Sequence, residues 1–450
     1  MTALAILLTA LPLQAGDVPA LTADETAAMS VITEQNVLGT VSFLASDEMA
    51  GRDTPSPELN IASAYVASRF RAAGLEGLGP AGSFYQETTL DTFKAPTGAT
   101  VQAADAKLKC YGALYGGREE FTFEGDIPKV VNNKKVNGPV WMPAPQLRPG
   151  MPPSFLPRLV SRSALAFKRL GATALVVVVE PESPLVGAVA QYQQQPTMRS
   201  APLPIVVVSA EPKGVCKVSV PARVAEPAVV RNVIAVRRGS DPEMAKQAIV
   251  ITAHLDHIGR AKGEDKVNNG ADDDATGVTA VLTLAEAYAA MKEAPKRSVI
   301  FMTFWGEEKG LLGSKYFVES PLWPLENIVA NLNFEMLGRP EEGADHKAWM
   351  SGWKKSDLGE LMAKGAARAG ITVFEHPRHS APLYRASDNF SFVRAGVIGH
   401  SFSAGSLHQD YHQPSDEWEK LKIPHMTKVI QGLFAGSLPI AHGEMTPQKK

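Results

Sequence analysis

The chain has 450 residues, of which 45% are hydrophobic and 20% charged, and its 45 Lys and Arg against 47 Asp and Glu give a formal net charge of −2. This is the composition of a folded globular protein with a large core, and it excludes intrinsic disorder, a collagen-like repeat and a disulfide-stapled miniprotein. Because the charges are balanced and interspersed, the sequence offers no basic surface for nucleic acid, and we expect no nucleic-acid partner.

The N-terminal residues resemble an export signal. Residues 3–13 form an apolar run of signal-peptide length, and residues 13–15 resemble a cleavage site. Although no Lys or Arg precedes Arg52, we predict a signal peptide over residues 1–15 and an exported protein, periplasmic or secreted. An apolar helix packed into the fold is the alternative. No other run reaches about 18 apolar residues, so we expect no membrane span and no membrane partner.

Residues 16–93 are interpreted as the N-terminal part of the domain that resumes after the β-rich region, and residues 32–86 have a largely helical pattern. Residues 58–73 carry an apolar stripe at helical spacing that ends before Gly74, which predicts a core-packing helix. Between residues 94 and 235 the pattern changes to short β-rich runs separated by Pro and Gly, with one helix over 161–170 ahead of a strand over 173–179. We interpret 94–235 as an inserted domain. It contains both cysteines, Cys110 and Cys216, and the sequence leaves their pairing open.

From residue 236 to 450, strands and helices alternate as in an α/β sheet. The apolar runs over 247–253 and 298–305 are typical of strands buried on both faces, and 275–291 between them is predicted to be a helix. Further strands are predicted over 328–335 and 397–402, and a further helix over 357–369. The predicted fold class is therefore α/β, with a mixed, mostly parallel central sheet flanked by helices, together with the β-rich insertion.

Residues of the types that bind metals follow these strands directly, and all ten histidines lie at or after His254. Because ligands bind at the carboxyl ends of strands in open α/β sheets, we expect these segments to meet at one edge. The candidates are His254, Asp256, Asp272, Asp273, Asp274, Glu307, Glu308, Glu335 and His412.

Each candidate also has an ordinary structural explanation. A histidine at a strand end is commonly just hydrogen-bonded, a run of Asp can cap a helix, and a Glu pair is usually solvated. However, Asp256 is placed to fix the tautomer of a ligating His254. Burying neighbouring carboxylates without a cation would cost several kcal/mol each. A metal is the simplest resolution.

The formal charges favour two divalent ions. Asp273, Glu308, Glu335 and one bridging hydroxide would balance the charge of two such ions. With the neutral imidazoles of His254 and His412, this mixed nitrogen and oxygen donor set suits Zn²⁺. We therefore predict two zinc ions per chain.

These motifs resemble those of the di-zinc aminopeptidase family, which includes bacterial leucyl aminopeptidase, glutamate carboxypeptidase II and glutaminyl cyclase. The resemblance is carried by AHLDHIG at 253–259, NGADDDATG at 269–277, EEKGLLGS at 307–314, NFEMLGR at 333–339, SDNFSF at 387–392 and DYHQPSDE at 410–417. FLASDEMAGRDTPSPE at 43–58 and the segment 161–180 are similar to members with an inserted protease-associated domain.

The resemblance implies a zinc exopeptidase fold and a metal-binding role for five side chains. Asp273 would bridge the two ions. His254 and Glu335 would complete the site of one ion, and Glu308 and His412 that of the other.

It also implies catalytic roles. Glu307 would be the general base, Asp256 would orient His254, and Tyr411 would contact the carbonyl oxygen as it becomes an oxyanion. A cis peptide bond is implied after Asp273. Two residues depart from the family pattern, since Glu335 stands where many members have Asp and Asn389 where relatives often have His.

The implied activity is that of an aminopeptidase, which hydrolyses a peptide substrate one residue at a time from its free N-terminus. A glutamate-type carboxypeptidase is the main alternative, with Arg339, Arg378, Arg385 and Arg394 as candidate substrate contacts. Glutaminyl cyclase and an inactive receptor-like scaffold are further alternatives. The side-chain preference and the oligomeric state are not specified by the sequence.

Overall fold

The chain forms two units in a computed structural model that describes residues 18–104, 108–130, 134–148, 155–194, 197–198, 201–260, 267–405 and 407–450. The first unit combines the residues up to Thr88 with Val230–Lys450, and the inserted unit is Thr89–Val229. The predicted signal peptide, residues 1–15, lies outside the described residues.

The helices of the described residues are α1 (Ala23–Met29), α2 (Glu34–Leu44), α3 (Pro57–Ala72), α4 (Leu156–Arg169), α5 (Pro184–Gln194), α6 (Thr276–Ala290), α7 (Leu312–Glu319), α8 (Leu358–Ala367), α9 (Asn389–Arg394) and α10 (Ile423–Ala441). The strands are β1 (Glu76–Gly77), β2 (Tyr85–Leu90), β3 (Phe93–Lys94), β4 (Thr100–Ala103), β5 (Cys110–Tyr115), β6 (Phe121–Asp126), β7 (Gly138–Pro143), β8 (Ala172–Val178), β9 (Ile205–Val208), β10 (Val215–Val220), β11 (Val224–Ala225), β12 (Ala228–Arg237), β13 (Ala248–His254), β14 (Ser298–Phe304), β15 (Ile328–Phe334), β16 (Lys347–Met350), β17 (Thr372–Phe374) and β18 (Gly399–Ser403). Among the described helices, none combines the length and hydropathy needed to cross a membrane.

The first unit is built on a sheet of nine strands, in the order β1-β12-β14-β13-β15-β18-β16-β17 with β2 beside β12. The central strands run parallel: β13 pairs with β14 and β15, and β15 pairs with β18. The pairs β12–β14 and β16–β18 are antiparallel. The predicted fold class, a mixed and mostly parallel sheet flanked by helices, is therefore confirmed.

The central strands are apolar on both faces because helices cover both faces. On β14, the ring of Phe304 packs 6.2 Å from that of Phe392 in α9. Phe301, which points to the opposite face, lies 6.4 Å from Phe70 of α3 and 5.9 Å from Tyr288 of α6. These aromatic contacts fix the sheet between two helical layers.

Helix α3 has the boundaries that the sequence pattern indicates. The hydroxyl of Ser56 accepts a hydrogen bond from the backbone N–H of Leu59, and Pro57 occupies the first turn. At the other end, Gly74 has a φ of 76°, a left-handed conformation that favours glycine. The helix predicted over 58–73 is thus present with its predicted stop.

The inserted unit contains a sheet in the order β5-β9-β8-β7, a second sheet in the order β4-β10-β6, and the helices α4 and α5. The unit ends at Val229, six residues before the expected end at residue 235, and β12 pairs with β14 of the first unit from Val233 onward. The apolar pattern of β12 is indistinguishable from that of the preceding strands of the insertion. Cys110 and Cys216 are both free thiols.

Candidate metal centre

The metal-type side chains lie at the carboxyl edge of the parallel strands. His254 is the last residue of β13, Glu307 and Glu308 follow β14, and Glu335 follows β15. The segment with Asp273 leads directly into α6. Because parallel strands end at the same edge, four separate segments of the chain meet there.

Asp273 lies between two histidines that are far apart in the sequence. Its Oδ1 is 3.2 Å from Nε2 of His254, and its Oδ2 is 3.1 Å from Nε2 of His412. The same His412 nitrogen is 3.1 Å from Oε1 of Glu308. The peptide bond between Asp273 and Asp274 is cis. One carboxylate thus faces a different imidazole with each of its oxygens.

The tautomer of His254 indicates that a cation belongs between it and Asp273. Nδ1 of His254 lies 3.0 Å from the backbone carbonyl of Asp256, and a carbonyl only accepts, so Nδ1 carries the proton. In a neutral ring, Nε2 then points a lone pair at a carboxylate oxygen. Such a contact is repulsive unless a proton or a metal ion lies between the two atoms.

A group of buried atoms at this edge lacks hydrogen-bond partners among the described residues. These atoms are both ring nitrogens of His257, Oδ2 of Asp273, Oε1 of Glu308 and Nε2 of His412. The four side chains can each offer one donor atom to a shared metal ion. Since buried polar atoms are nearly always paired, and since nitrogen and carboxylate donors suit Zn²⁺, the donor set fits a zinc site.

Burial and neighbouring charges shift the pKa values of the acids in this cluster in different directions. Burial raises the pKa of Glu307 well above its ordinary value, and the nearby Asp388 and Glu308 carboxylates add to the rise. Burial likewise raises the pKa of Glu335. By contrast, the neighbouring imidazoles of His257 and His412 outweigh burial and lower the pKa of Glu308 to about 2. Glu308, which faces two imidazoles, is therefore held ionised.

The three consecutive aspartates have three different contacts. Asp272 accepts a hydrogen bond from the backbone N–H of Gly338 at 2.8 Å. Asp273 faces the two histidines. Asp274 accepts from the N–H of Gly277 at 3.0 Å and from that of His254 at 3.2 Å. Only the middle residue has its carboxylate between the histidines, while its neighbours hold the surrounding backbone in place.

Asp256 does not orient His254 in the way that we expected. Its carboxylate is 4.0 Å from Nδ1 of His254, whereas its backbone carbonyl makes the 3.0 Å contact. The carboxylate accepts instead from the backbone N–H of Glu307 at 3.0 Å and from the Thr54 hydroxyl at 3.0 Å. The carboxylate of Asp256 thus positions Glu307, and the backbone of the tight 254–256 turn positions the histidine.

The loop that carries His412 also holds the turn that carries Asp273. The carboxylate of Asp416 accepts from the backbone N–H groups of Asp272 and Asp273 at 3.1 and 3.2 Å. Tyr411 stacks on the His412 ring with 3.9 Å between ring centroids. His412 itself has a φ of 57°, a strained left-handed conformation of the kind found at functional sites. The sequence pattern did not reveal the role of Asp416.

Arg52 is a further residue that supports the site, and the sequence pattern did not reveal its role. Its guanidinium is fully buried and donates to the backbone carbonyls of Leu255 at 2.9 Å, Asn269 at 2.8 Å, Gly270 at 3.1 Å and Leu44. It therefore ties the loop after β13 to the loop before α6. The only signal in the sequence was its place in the motif at 43–58.

The two departures from the family pattern have different surroundings. Glu335 is partly buried and lies close enough to His254 and Asp273 for their charges to act on it. Asn389 accepts a hydrogen bond from the Ser401 hydroxyl at 3.1 Å and donates to the backbone carbonyl of Tyr384 at 3.0 Å. Asn389 thus joins β18 to the 3-10 helical turn that precedes α9.

A second group of metal-type residues, Glu341, His376 and His379, has a simpler explanation. Nδ1 of His376 accepts from the backbone N–H groups of Arg378 and His379, both at 3.1 Å. The ring proton is therefore on Nε2, which donates to Glu341 at 3.2 Å. Arg378 binds the other Glu341 oxygen at 2.9 Å. Hydrogen bonds account for His376 and Glu341 without a metal, whereas Nε2 of His379 has no hydrogen-bond partner among the described residues.

A mostly parallel α/β sheet with buried His, Asp and Glu side chains at its carboxyl edge defines the class of the first unit as a metal-dependent hydrolase fold. The sequence profile of peptidase family M28 matches residues 232–435, which is a little under half of the chain. The candidate ligands and the candidate base all lie within the matched residues.

Curated relatives are similar to part of this chain, and the matched segment is a small part of each relative. A vacuolar membrane protease of Lachancea thermotolerans is 35% identical over 189 residues, which is 41% of this chain and 18% of that protein. A probable zinc metalloprotease of Pyrenophora teres f. teres is 32% identical over 121 residues, 27% of this chain and 24% of that protein. The chain therefore spans about a fifth to a quarter of these relatives.

Solved structures with the same fold cover nearly the whole chain. An aminopeptidase from Aneurinibacillus sp. strain AM-1 has a TM-score of 0.56 at 18% identity and covers 92% of this chain and 95% of its own. BSAP, a zinc aminopeptidase from Bacillus subtilis, has a TM-score of 0.54 at 16% identity and covers 90% and 94%. At these identities the likeness shows the shared fold.

Proposed function

We propose that the chain is a zinc-dependent exopeptidase, an aminopeptidase that removes N-terminal residues from peptides. The observation that carries this proposal is the position of Asp273 between His254 and His412, among buried donor atoms that have no hydrogen-bond partners in the described residues. The match of residues 232–435 to peptidase family M28 supports hydrolysis of a peptide bond as the reaction. The names of the two solved structures support the choice of the N-terminus.

The proposed site would hold two zinc ions, and Asp273 would be a ligand in both sets. His254 and Glu335 would complete one set of protein ligands, and Glu308 and His412 would belong to the other. When bound, the ions would lower the pKa of a shared water molecule and polarise the carbonyl of the scissile bond. Two divalent ions would exceed the negative charge of the three carboxylates by one, and one hydroxide would balance it, since the imidazoles are neutral.

Glu307 is the proposed general base. Its backbone N–H is fixed by the carboxylate of Asp256 at 3.0 Å. Burial and the nearby Asp388 and Glu308 carboxylates raise the pKa of Glu307, which makes its carboxylate a stronger base than one in water. Glu307 would take a proton from the attacking water and deliver it to the departing amine.

Tyr411 is the proposed oxyanion donor. Burial, together with the carboxylates of Asp273, Glu308 and Glu307, raises the pKa of the Tyr411 phenol far above its ordinary value. The phenol therefore keeps its proton at neutral pH and donates rather than accepts. Since the Tyr411 ring stacks on the ring of His412, the phenol lies beside the proposed metal site. It could there donate a hydrogen bond to the negative charge that develops on the substrate oxygen.

The contacts of the arginines favour the aminopeptidase over the glutamate-type carboxypeptidase. Arg339 is paired with Asp410 at 3.0 Å, and Arg378 with Glu341 at 2.9 Å. The guanidinium of Arg385 lies over the ring of Phe390. Two of the four candidate contacts for a substrate carboxylate are thus already neutralised by acids of the chain.

A panel of substrates tests the proposal. Aminoacyl p-nitroanilides, their N-acetylated forms and peptides with a C-terminal glutamate would be assayed with and without a chelator, and again after zinc is restored. We expect cleavage of the free aminoacyl amides alone, loss with the chelator and recovery with zinc. Cleavage of the glutamyl peptides alone would instead establish the carboxypeptidase. A protein that binds zinc but cleaves nothing would be a scaffold.

Export to the periplasm or the medium is also proposed, on the basis of the apolar run at 3–13 and of the vacuolar placement in the names of curated relatives. Expression of the full chain in a bacterial host, followed by fractionation and determination of the N-terminal residue, tests it. Export with a new N-terminus near Gly16 is expected. Retention of the full-length chain in the cytosol would contradict it.

A further inference from the structure

His257 is a buried histidine of the metal centre that lies within the motif at 253–259 and has no role in the proposed ligand set. It lies three residues after His254 and is fully buried. Both of its ring nitrogens lack hydrogen-bond partners among the described residues. A buried polar atom without a partner costs about 1–3 kcal/mol, so a ring in this condition points to a ligand.

The ring is held in place on its other side by backbone. Gly270 has a φ of 58°, and a Cβ added there would lie 2.5 Å from Cγ of His257. Any side chain at position 270 would therefore strike the ring. Gly270, in the loop before α6, thus leaves space for the imidazole of His257. Nδ1 of this imidazole faces Asp273 and Glu308.

The distances match those between ligands of one ion. Nδ1 of His257 is 3.0 Å from Oε1 of Glu308 and 3.7 Å from Oδ2 of Asp273. Nε2 of His412 is 3.1 Å from each of the same two oxygens. Four donors bound tetrahedrally at the usual Zn–N and Zn–O lengths lie about 3.3 Å apart. None of these four atoms has a hydrogen-bond partner among the described residues, as expected when donor atoms point at a common centre.

We propose that Nδ1 of His257 is a fourth protein ligand of the ion bound by Asp273, Glu308 and His412. This inference rests on the proposed zinc site and makes its two halves unequal. One ion has four protein ligands and the other has three, namely His254, Asp273 and Glu335. Catalytic zinc sites can expand to five ligands, so the shared water could still reach the ion with four protein ligands. The ion at His254, with fewer protein ligands, would have more room for a substrate carbonyl and would exchange more readily.

Metal titration of histidine variants tests the proposal. Metal-free wild-type protein, His257→Gln and the control His408→Gln would be titrated with Zn²⁺ against a chromophoric chelator and with Co²⁺ followed by visible absorption. His408 is the matched control because it contacts Asp272 at 3.2 Å and lies in the same loop as His412. We expect His257→Gln to weaken one of two ions by at least about 10-fold and to change its Co²⁺ spectrum, with His408→Gln within about 3-fold of wild type.

The outcomes separate this inference from the proposed function. A wild-type protein that binds no zinc overturns both. A wild-type protein with two zinc ions and a His257→Gln variant with the same affinities and Co²⁺ spectrum overturns the role of His257 alone.

A measurement on the unmodified chain covers the case in which the variant does not fold. In ¹¹³Cd-loaded protein with ¹⁵N-labelled histidine, scalar coupling to cadmium is expected at the nitrogens of His254, His257 and His412. Coupling at only two imidazoles would overturn the proposal.

Discussion

Replacement of Arg52 by methionine should destabilise the first unit and loosen its metal centre together. Arg52 is buried, and it donates to four backbone carbonyls from three separate segments of the chain. Although burial lowers the pKa of Arg52 to about 10, with Asp256 and Asp274 opposing the shift, the guanidinium stays charged at neutral pH. Its positive charge therefore also offsets the buried acids around it.

The magnitude follows from the groups that would be left unpaired. Each buried carbonyl without a donor costs about 1–3 kcal/mol, but the loops can relax and water can reach some of them. Removing one partner of a buried charged pair typically costs about 3–5 kcal/mol. We therefore expect Arg52→Met to lower the free energy of unfolding by about 3–5 kcal/mol, within the range of the most severe single substitutions.

Arg297 provides a matched control. It is also buried and donates to the backbone carbonyls of Ile440 and Met445, to Gln247 and to Thr446, all at 2.7–2.8 Å. It precedes β14, whereas the metal-type residues follow the strands. Arg297→Met should thus destabilise the fold to a similar degree without changing the affinity for zinc.

The assay is urea unfolding followed by tryptophan fluorescence, with zinc affinity measured by chelator competition at low urea. Apart from Trp141, the tryptophans lie in the first unit, so the signal reports mainly on it. Arg52→Met should lose both stability and at least about 10-fold in zinc affinity, as for other residues that support metal ligands. A loss below about 1 kcal/mol, or an equal loss of zinc affinity in Arg297→Met, would refute the reasoning.

Three further predictions concern single residues. Glu307→Gln should retain bound zinc but lower kcat by about 100-fold or more, because it removes the proton acceptor; a kcat above about a tenth of wild type on an aminoacyl amide would contradict this role. Asp416→Ala should weaken zinc binding by roughly 10- to 100-fold, because it frees the turn that carries Asp273; unchanged affinity in the same chelator competition would contradict the positioning role. His400 is buried and its pKa is lowered to about 4 by burial, so its unfolded form gains a proton near pH 6.5 while the folded form does not. The stability advantage of wild type over His400→Gln should therefore shrink by up to about 3 kcal/mol as the pH falls from 7 to 4; a difference that is constant in urea unfolding across this range would show that the folded ring takes up the proton.

The features that could be predicted from the sequence were those with a local pattern, namely the buried strands and the residues that follow them. Apolar runs marked β13 and β14 as strands buried on both faces, and a metal-type residue at the end of each indicated the edge where the site lies. Both predicted histidines, His254 and His412, do lie beside Asp273. The order of these segments along the chain was enough for that, because parallel strands bring their carboxyl ends together whatever the details of packing.

The remaining features depend on contacts between residues that are distant in the sequence. Arg52 reaches carbonyls more than 200 positions away, and no local pattern distinguishes it from a surface arginine. Asp256 has the spacing expected of a partner for His254, yet its backbone makes that contact and its carboxylate holds Glu307. His257 was hidden because a second histidine beside a ligand is usually structural. Only its unpaired nitrogens set it apart.

The distribution of contacts around Asp273 shows why so many acids are needed at one site. If both oxygens of Asp273 bind metal ions, as proposed, they have little capacity left for the hydrogen bonds that would fix the carboxylate. Its position must therefore be set through the backbone, and Asp416 does this by accepting from the N–H of Asp273 itself. Asp274 does the same for His254 by accepting from its N–H. The acids next to the proposed ligands hold the backbone and leave the side chains of the ligands free, so substitution of these supporting acids should weaken metal binding without removing a single metal contact.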